Sequence, residues 1–384
     1  MQEPEPEASE GMSVEVLRAA ELANSVYWRH RGQFHAMPAA GTAALEAALD
    51  EAAASIAAAD ALLFVTGAGM GVDMGLQDFR SSNDFWKELG HPEIARYEDA
   101  SDSKWFLKDP HLAWGINYSQ LSAYREAEVH AGYAAMRALA EMKGGGNHFC
   151  WTSNIDGVFQ RSGFDTSRVH ECHGNIHRLQ CTKGRACKDP ITGEADAWEP
   201  DMAIQLDYDV ATHRAAGPLP ACRTCGALAR PNVWFCTDTA YVSHRASLAV
   251  SDDYQKWVES FATPSVKKLV VIECGAGLVI PSCRIEAEDR ATDSRGTLVR
   301  INPVDCMVPP PPLGRGTGAA WHYDDDCEVG TALHRASSSS GGEVPVPAKS
   351  IGVAMGSASG MAAILERVCR LTGGGMPTSA TPSA

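Results

Sequence analysis

The feature that most constrains this chain is a set of short apolar runs that each end in a polar or glycine-rich turn. Residues 61–66 (ALLFVT) lead into Gly67-Ala68-Gly69, and 147–153 (NHFCWTS) lead into Asn154. Residues 267–274 (KKLVVIEC) lead into Gly275-Ala276-Gly277, and 296–303 (GTLVRINP) end around Asn302. Runs rich in β-branched and aromatic residues, bounded by Gly, Asn and Pro, predict strands. Good helix formers precede the first two: ALEAALDEAAASIAAAD over 44–60, and 126–143, which Gly144-Gly145-Gly146 stop. Strands that are apolar on both sides and alternate with helices predict an α/β fold, a parallel sheet with helices on both faces. Ligands of such sheets bind at the carboxyl ends of the strands, where the polar turns lie. A last helix is expected over roughly 359–371, after a Pro/Ser/Gly-rich loop at 307–350.

A chain of 384 residues, 45% hydrophobic, is long enough for one main domain and a smaller module. Its net charge of −15 is the opposite of the basic face that nucleic acid and anionic membrane require, so neither is an expected partner. The acidic balance serves solubility or attracts basic, lysine-bearing proteins. No uninterrupted apolar run reaches the ~18 residues of a membrane helix. The start, MQEPEPEASEG, has neither a basic, apolar secretory pattern nor an Arg-rich transit pattern. It predicts a disordered tail on an intracellular protein, cytoplasmic or nuclear. Twelve cysteines in such a chain are expected to be reduced, some of them on a metal.

Residues 181–230 are polar and lack apolar periodicity, so they need a staple to fold. Cys181-x5-Cys187 and Cys222-x2-Cys225 supply one. Four thiolates make a closed tetrahedral zinc site, structural rather than catalytic. Gly226 follows the second pair as in a zinc knuckle; the first pair is spaced wider than usual, which leaves Cys172 as a rival to Cys187. Cys150, Cys274 and Cys369 lie in apolar runs and read as core.

Three polar segments remain. Gly67-Ala68-Gly69-Met70-Gly71 fails the strict G-x-G-x-x-G pattern and reads either as a tight connection or as a phosphate cradle. Gln77-Asp78-Phe79-Arg80 reads as a surface turn or as a loop over a cofactor. Ser153-Asn154-Ile155-Asp156 is followed, seventeen residues after Asp156, by His173-Gly174. His173 reads as a general base, a structural histidine or a zinc ligand, since His170 and His177 are close by.

In this order the segments resemble the sirtuin family. Gly67-Ala68-Gly69 through Asp78-Phe79-Arg80 is similar to its GAGxS…GIPDFR signature, Ser153-Asn154-Ile155-Asp156 to TQNID, and His173-Gly174 to its catalytic HG. The four cysteines follow, then Arg230-Pro231-Asn232-Val233-Trp234-Phe235 resembles RPxVVF. Gly275-Ala276-Gly277-Leu278 resembles GTSL, and Ile301-Asn302 the family's IN. The resemblance covers roughly residues 45–305.

It implies a Rossmann-like NAD-binding domain with an inserted zinc module, and NAD-dependent removal of an acyl group from lysine. The acyl group passes to ADP-ribose and nicotinamide is released. It implies that His173 is the base and Asn154 a second catalytic residue at the nicotinamide ribose. Asp156 would meet the carboxamide. Gly67, Ala68, Gly69, Asp78, Phe79, Arg80 and Ser153 would line the nicotinamide and phosphate region, and Gly275, Gly277 and Asn302 the adenosine side. Cys181, Cys187, Cys222 and Cys225 would hold zinc. Val233 and Phe235 would flank the acyl-lysine substrate. Mono-ADP-ribosyl transfer or NAD hydrolysis on the same fold is the alternative.

Ser153 stands where the family has Gln, Ala276-Gly277 where it has Thr-Ser, and Val304 where an acid often meets the adenosine ribose. Cys236-Thr237-Asp238 replaces the family's FGE loop. The Tyr-x-x-Arg of relatives acting on acidic acyl groups is missing before His130; Trp114 and Asn117 are nearest its place, so short or neutral acyl groups are expected. The implied layout is a tail (1–42), a nucleotide-binding domain in two parts (43–175 and 231–306) with a helical module and cofactor loop at 82–125, a zinc module (176–230), the loop at 307–350, and a C-terminal helix and tail (351–384).

Overall fold

The computed structural model describes residues 37–39, 41–76, 89–236, 238–262, 267–278, 280–309 and 347–374. These contain ten strands: β1 (Ala61–Thr66), β2 (His148–Thr152), β3 (Val169–Glu171), β4 (Gly174–Cys181), β5 (Asp207–Asp209), β6 (Arg214–Ala216), β7 (Ala229–Val233), β8 (Leu269–Cys274), β9 (Thr297–Ile301) and β10 (Lys349–Val353). The longer helices are α1 (Thr42–Ala57), α2 (Pro110–Glu126), α3 (Ala131–Met142), α4 (Arg245–Glu259), α5 (Ser282–Asp293) and α6 (Ser357–Thr372). Asp78, Phe79, Arg80 and the tail at 1–12 lie outside the described residues.

Six strands form one sheet in the order β10-β9-β8-β1-β2-β3, with every pairing parallel. Its side chains alternate between two cores. Leu62, Phe64, Cys150, Ile272 and Val299 face α1, α3 and α6, while Leu63, Val65, Phe149, Val271 and Leu298 face α4 and α5. This is the expected α/β architecture with helices on both faces. Cys150, Cys274 and Cys369 are core residues, as their apolar neighbours predict.

β10 was not expected. It begins inside the segment read as loop, and its sequence, KSIGV, is too short and mixed to stand out. α5 was missed as well, because its buried side carries charge. Arg300 on β9 is fully buried, donates to both oxygens of Glu273 on β8 at 2.7 Å, and reaches Glu288 on α5 at 2.8 Å. An ion cluster occupies positions where an apolar stripe would have revealed the helix.

From β1 the chain moves outward through β2 to β3, then returns to the other side of β1 as β8. The direction reverses between β1 and β8, and such a switch point is where open α/β sheets bind ligands. Between β3 and β8 the chain builds a second core. Trp105, Phe106 and Trp114 from the 89–126 helices pack there with Ile176, Leu179, Cys181, Cys222, Val233 and Phe235. The helical segment and the cysteine-bearing segment therefore share one core. The β5–β6 hairpin seals the contact: a Cβ on Gly115 of α2 would lie 2.1 Å from the His213 carbonyl, and His111 donates to the Ala215 carbonyl at 2.8 Å.

Candidate functional site

At the switch point the two glycine turns touch backbone to backbone. Gly69 donates to the Gly275 carbonyl at 2.9 Å, and Gly67 to that of Cys274 at 3.0 Å. Gly275 has φ +65, and a Cβ there would sit 2.4 Å from the Met70 nitrogen. The glycines are thus required for the turns to pack on each other. The Gly69 N–H is spent on that contact, while Gly277 has open space around it.

The turn after β2 closes on the same place. The Asn154 side chain donates to the Gly67 carbonyl at 3.0 Å. Asp156 is buried, with Oδ1 accepting from the Val158 N–H at 2.9 Å. Burial pushes its carboxyl up to about 6 from an ordinary 3.8, and the charge of Glu171 adds to the effect. Ser153 turns its hydroxyl to the Cys283 thiol, 3.1 Å away. Asn302, at the end of β9, is buried and structural in its bonds: it donates to the Ala276 carbonyl at 3.1 Å and accepts from Val304 and Asp305 N–H groups. Ala68, between the two turn glycines, begins the single helical turn Gly69–Val72.

His173 stands between the sheet and the second core, after β3 and before β4. Its Nδ1 is 3.2 Å from the Ser153 carbonyl, its backbone carbonyl accepts from Trp234 N–H at 2.9 Å, and its ring meets Trp234 edge to face. A carbonyl only accepts, so this bond puts the proton on Nδ1 and makes Nε2 the basic nitrogen. The glycine after it is obligatory: Gly174 has φ +79, and a Cβ would lie 2.2 Å from the Asn232 carbonyl. His170 and His177 have other tasks. His170 stacks on Tyr254 in the core, and His177 Nε2 donates to the Asp156 carbonyl at 3.1 Å.

Val233 and Phe235 are buried in the second core, Phe235 against Phe106 at 5.7 Å between ring centroids. In the replaced loop Asp238 is taken up by a buried ion pair with Arg230 at 2.6 Å, and Cys236 donates to the Ser101 carbonyl. Trp114 and Asn117 are buried in α2, with Trp114 donating to the Ala229 carbonyl.

The ribbon β4–β7 connects His173 to the cysteines, since Gly174 pairs with Val233 at one end and Cys181 with Ala229 at the other. Sγ atoms of Cys181, Cys187, Cys222 and Cys225 all lie within 4.8 Å of one another, with Cys181–Cys225 and Cys187–Cys222 at 3.7 Å. A tetrahedron with bonds of about 2.3 Å to zinc has edges of about 3.8 Å, so the cluster fits the ion. The wide first spacing is explained by a 3-10 turn at Gly184–Ala186 that brings Cys187 back. Lys183 and Thr224 N–H groups point at Cys181 and Cys222 sulfurs, each at 3.4 Å. Cys172 is not in the cluster; it packs against the core beneath α4 and α5. β7 spans the same ribbon from Ala229 to Val233, which puts its two ends about 13 Å apart, so the metal is too far from His173 to take part in its chemistry.

Sequence reading missed the support behind these turns. Glu171 accepts from Gln160 and Asn175 at 2.9 and 2.6 Å and pairs with Arg178, bracing the strand that precedes His173. Nothing in the sequence marks these four residues as one group.

A family model described as the Sir2 family matches residues 67–253, the stretch from the first glycine turn through the cysteine cluster. Over that stretch the chain is similar to the Sir2 family. Among curated relatives, an NAD-dependent protein deacylase of Candida albicans is 26% identical over 58% of this chain and 76% of its own length. An NAD-dependent protein deacetylase of Saccharolobus solfataricus is 27% identical over 64% of this chain and 87% of its own. A Thermococcus kodakarensis NAD-dependent protein deacylase is 29% identical, and the match spans 64% of that protein. The solved structure of a Sir2 homolog–NAD complex shares the fold at a TM-score of 0.54, with 19% identity over 88% of this chain and 99% of that one.

Proposed function

We propose that this chain is an NAD-dependent protein-lysine deacylase, with His173 as its general base. The observation that carries the reading is the His173 ring, held by the Ser153 carbonyl and Trp234 where the glycine turns, the β2 turn and the second core converge. The residues fit a dinucleotide: the turns flank the switch point, and Asp156 offers a buried carboxylate that gains from meeting an amide donor. Bound NAD supplies an electrophilic ribose carbon, a hydroxyl that accepts the acyl group, and nicotinamide as leaving group.

In this reading Asp156 orients the nicotinamide carboxamide, and Asn154, tied to Gly67, fixes the β2 turn at the ribose. Nε2 of His173 takes the proton of the ribose hydroxyl, while the Ser153 carbonyl steadies the resulting imidazolium. Gly67, Ala68, Gly69 and Ser153 form the wall of the nicotinamide and phosphate region; a part for Asp78, Phe79 and Arg80 in cofactor binding rests on their sequence motif alone. Gly275, Gly277 and Asn302 form the adenosine side. Val233 and Phe235 set the floor of the acyl-lysine channel from within the second core. The substrate is an acyl-lysine protein with a short or neutral acyl group, since Trp114 and Asn117 bring no cation to an acidic one. Zinc on the four cysteines supplies folding energy to the polar insert.

Ser153 favours a second reading, mono-ADP-ribosyl transfer or NAD hydrolysis, because it stands in place of the family's Gln and its short side chain accepts from the Cys283 thiol. A panel of acyl-lysine peptides incubated with NAD separates them by mass spectrometry. Deacylation yields O-acyl-ADP-ribose, and His173→Ala lowers turnover by about 10²- to 10⁴-fold. Labelled ADP-ribose on protein, with no O-acyl product, refutes the proposal.

A further inference from the structure

His130 precedes α3, outside every segment assigned to the site, yet it bonds in two directions. Its Nδ1 accepts from the Gly132 N–H at 2.9 Å, capping α3, and its Nε2 lies 3.1 Å from the Met70 carbonyl. One nitrogen accepts and the other must donate, so the two bonds select the neutral Nε2–H form. Burial holds the imidazole below its ordinary value, in keeping with that form, and Tyr133 packs on its ring at 4.9 Å.

Met70 follows the first glycine turn directly. Its nitrogen side is pressed by Gly275, where a Cβ would stand at 2.4 Å, and its carbonyl side is held by His130. Three residues on, Asp73 accepts from the Ala358 N–H at 2.7 Å, at the start of α6. The segment that must stay fixed for a dinucleotide is therefore tethered to the starts of two helices, and His130 is the side chain that makes the first tether.

We propose that His130 is a positioning residue for the cofactor: its Nε2–H bond to the Met70 carbonyl sets the glycine turn in the shape that binds NAD. This rests on the NAD-binding reading above. The turn does not have to be ordered by the ligand if the protein has ordered it already, so the tether acts on affinity.

Two substitutions split the two bonds. In His130→Asn the side-chain oxygen replaces Nδ1 and keeps the cap, but nothing reaches Met70. In His130→Gln the terminal amide replaces Nε2 and keeps the tether, but the cap is lost. NAD binding by calorimetry, melting temperature and steady-state kinetics are measured on the full chain. His130→Asn is expected to melt near wild type and to bind NAD about 3- to 10-fold more weakly, the worth of one lost hydrogen bond, with the rise in KM for NAD rather than a fall in kcat. His130→Gln is expected to melt a few degrees lower yet to recover most of the NAD affinity. If His130→Asn binds NAD as wild type does, or if affinity follows melting temperature in both variants, the proposal is overturned while the NAD reading stands. If the wild-type chain binds no NAD, both fall.

Discussion

Replacing Asp156 by Asn should make the protein more stable and less able to bind NAD. The carboxyl is buried and lifted from 3.8 to about 6, chiefly by loss of solvent. At about 1.4 kcal/mol per tenfold change in proton affinity, ionising it inside the fold costs about 3 kcal/mol. The sign follows from proton counts. Between pH 4 and 6 the folded chain holds a proton that the unfolded chain has released, so stability falls as pH rises through this window. Above pH 6 the whole penalty is present. Asn keeps the oxygen that accepts from Val158 and removes the charge. Urea unfolding of Asp156→Asn at pH 7.5 should show a gain of about 1–3 kcal/mol, and that gain should vanish near pH 4. NAD affinity at pH 7.5 should drop by at least about tenfold, in line with a charge-assisted hydrogen bond. For wild type, KM for NAD should rise as pH falls below about 6. A variant that is less stable at pH 7.5, or that binds NAD normally, refutes the reasoning.

Two further outcomes are expected. Gly275→Ala combines a left-handed φ with a collision at Met70, and should cost about 2–5 kcal/mol of stability in denaturant unfolding, whereas Gly277→Ala, with open space around it, should change stability by less than about 0.5 kcal/mol. Metal analysis should find about one zinc per chain, and Cys222→Ser should release it and expose the second core to a hydrophobic dye, because Cys181 and Cys222 are packed in that core; a fully folded, metal-free chain contradicts this.

The parts legible in sequence were those whose physics is local. ALLFVT and KKLVVIEC announce buried strands because every residue in β1 and β8 is buried, and the cysteine spacing announces a metal because thiolates need one geometry. The rest depends on residues far apart in the chain. α5 hides behind the Arg300, Glu273 and Glu288 cluster, which resembles surface charge until its partners are known. That the helical and cysteine segments form one core is set by contacts such as Gly115 against His213, which no periodicity encodes. His173 was ambiguous alone, and only contacts distant in sequence separate the three rings: His173 meets the Ser153 carbonyl and Trp234, His170 stacks on Tyr254, and His177 meets the Asp156 carbonyl.

The strand order also bears on how the chain is made. β1 lies in the middle of the sheet, but its partner on one side, β8, begins at Leu269, opposite Ala61. A ribosome adding about 5–20 residues per second needs roughly 10–40 s to cover that interval. During that time β1 and β2 can pair, but the other edge of β1 stays open, an apolar strand with unsatisfied N–H and C=O groups. The second core, with its metal, is completed in that interval. Newly made chain therefore passes through a state with a finished small module and a half-built sheet, and that state is the one exposed to aggregation.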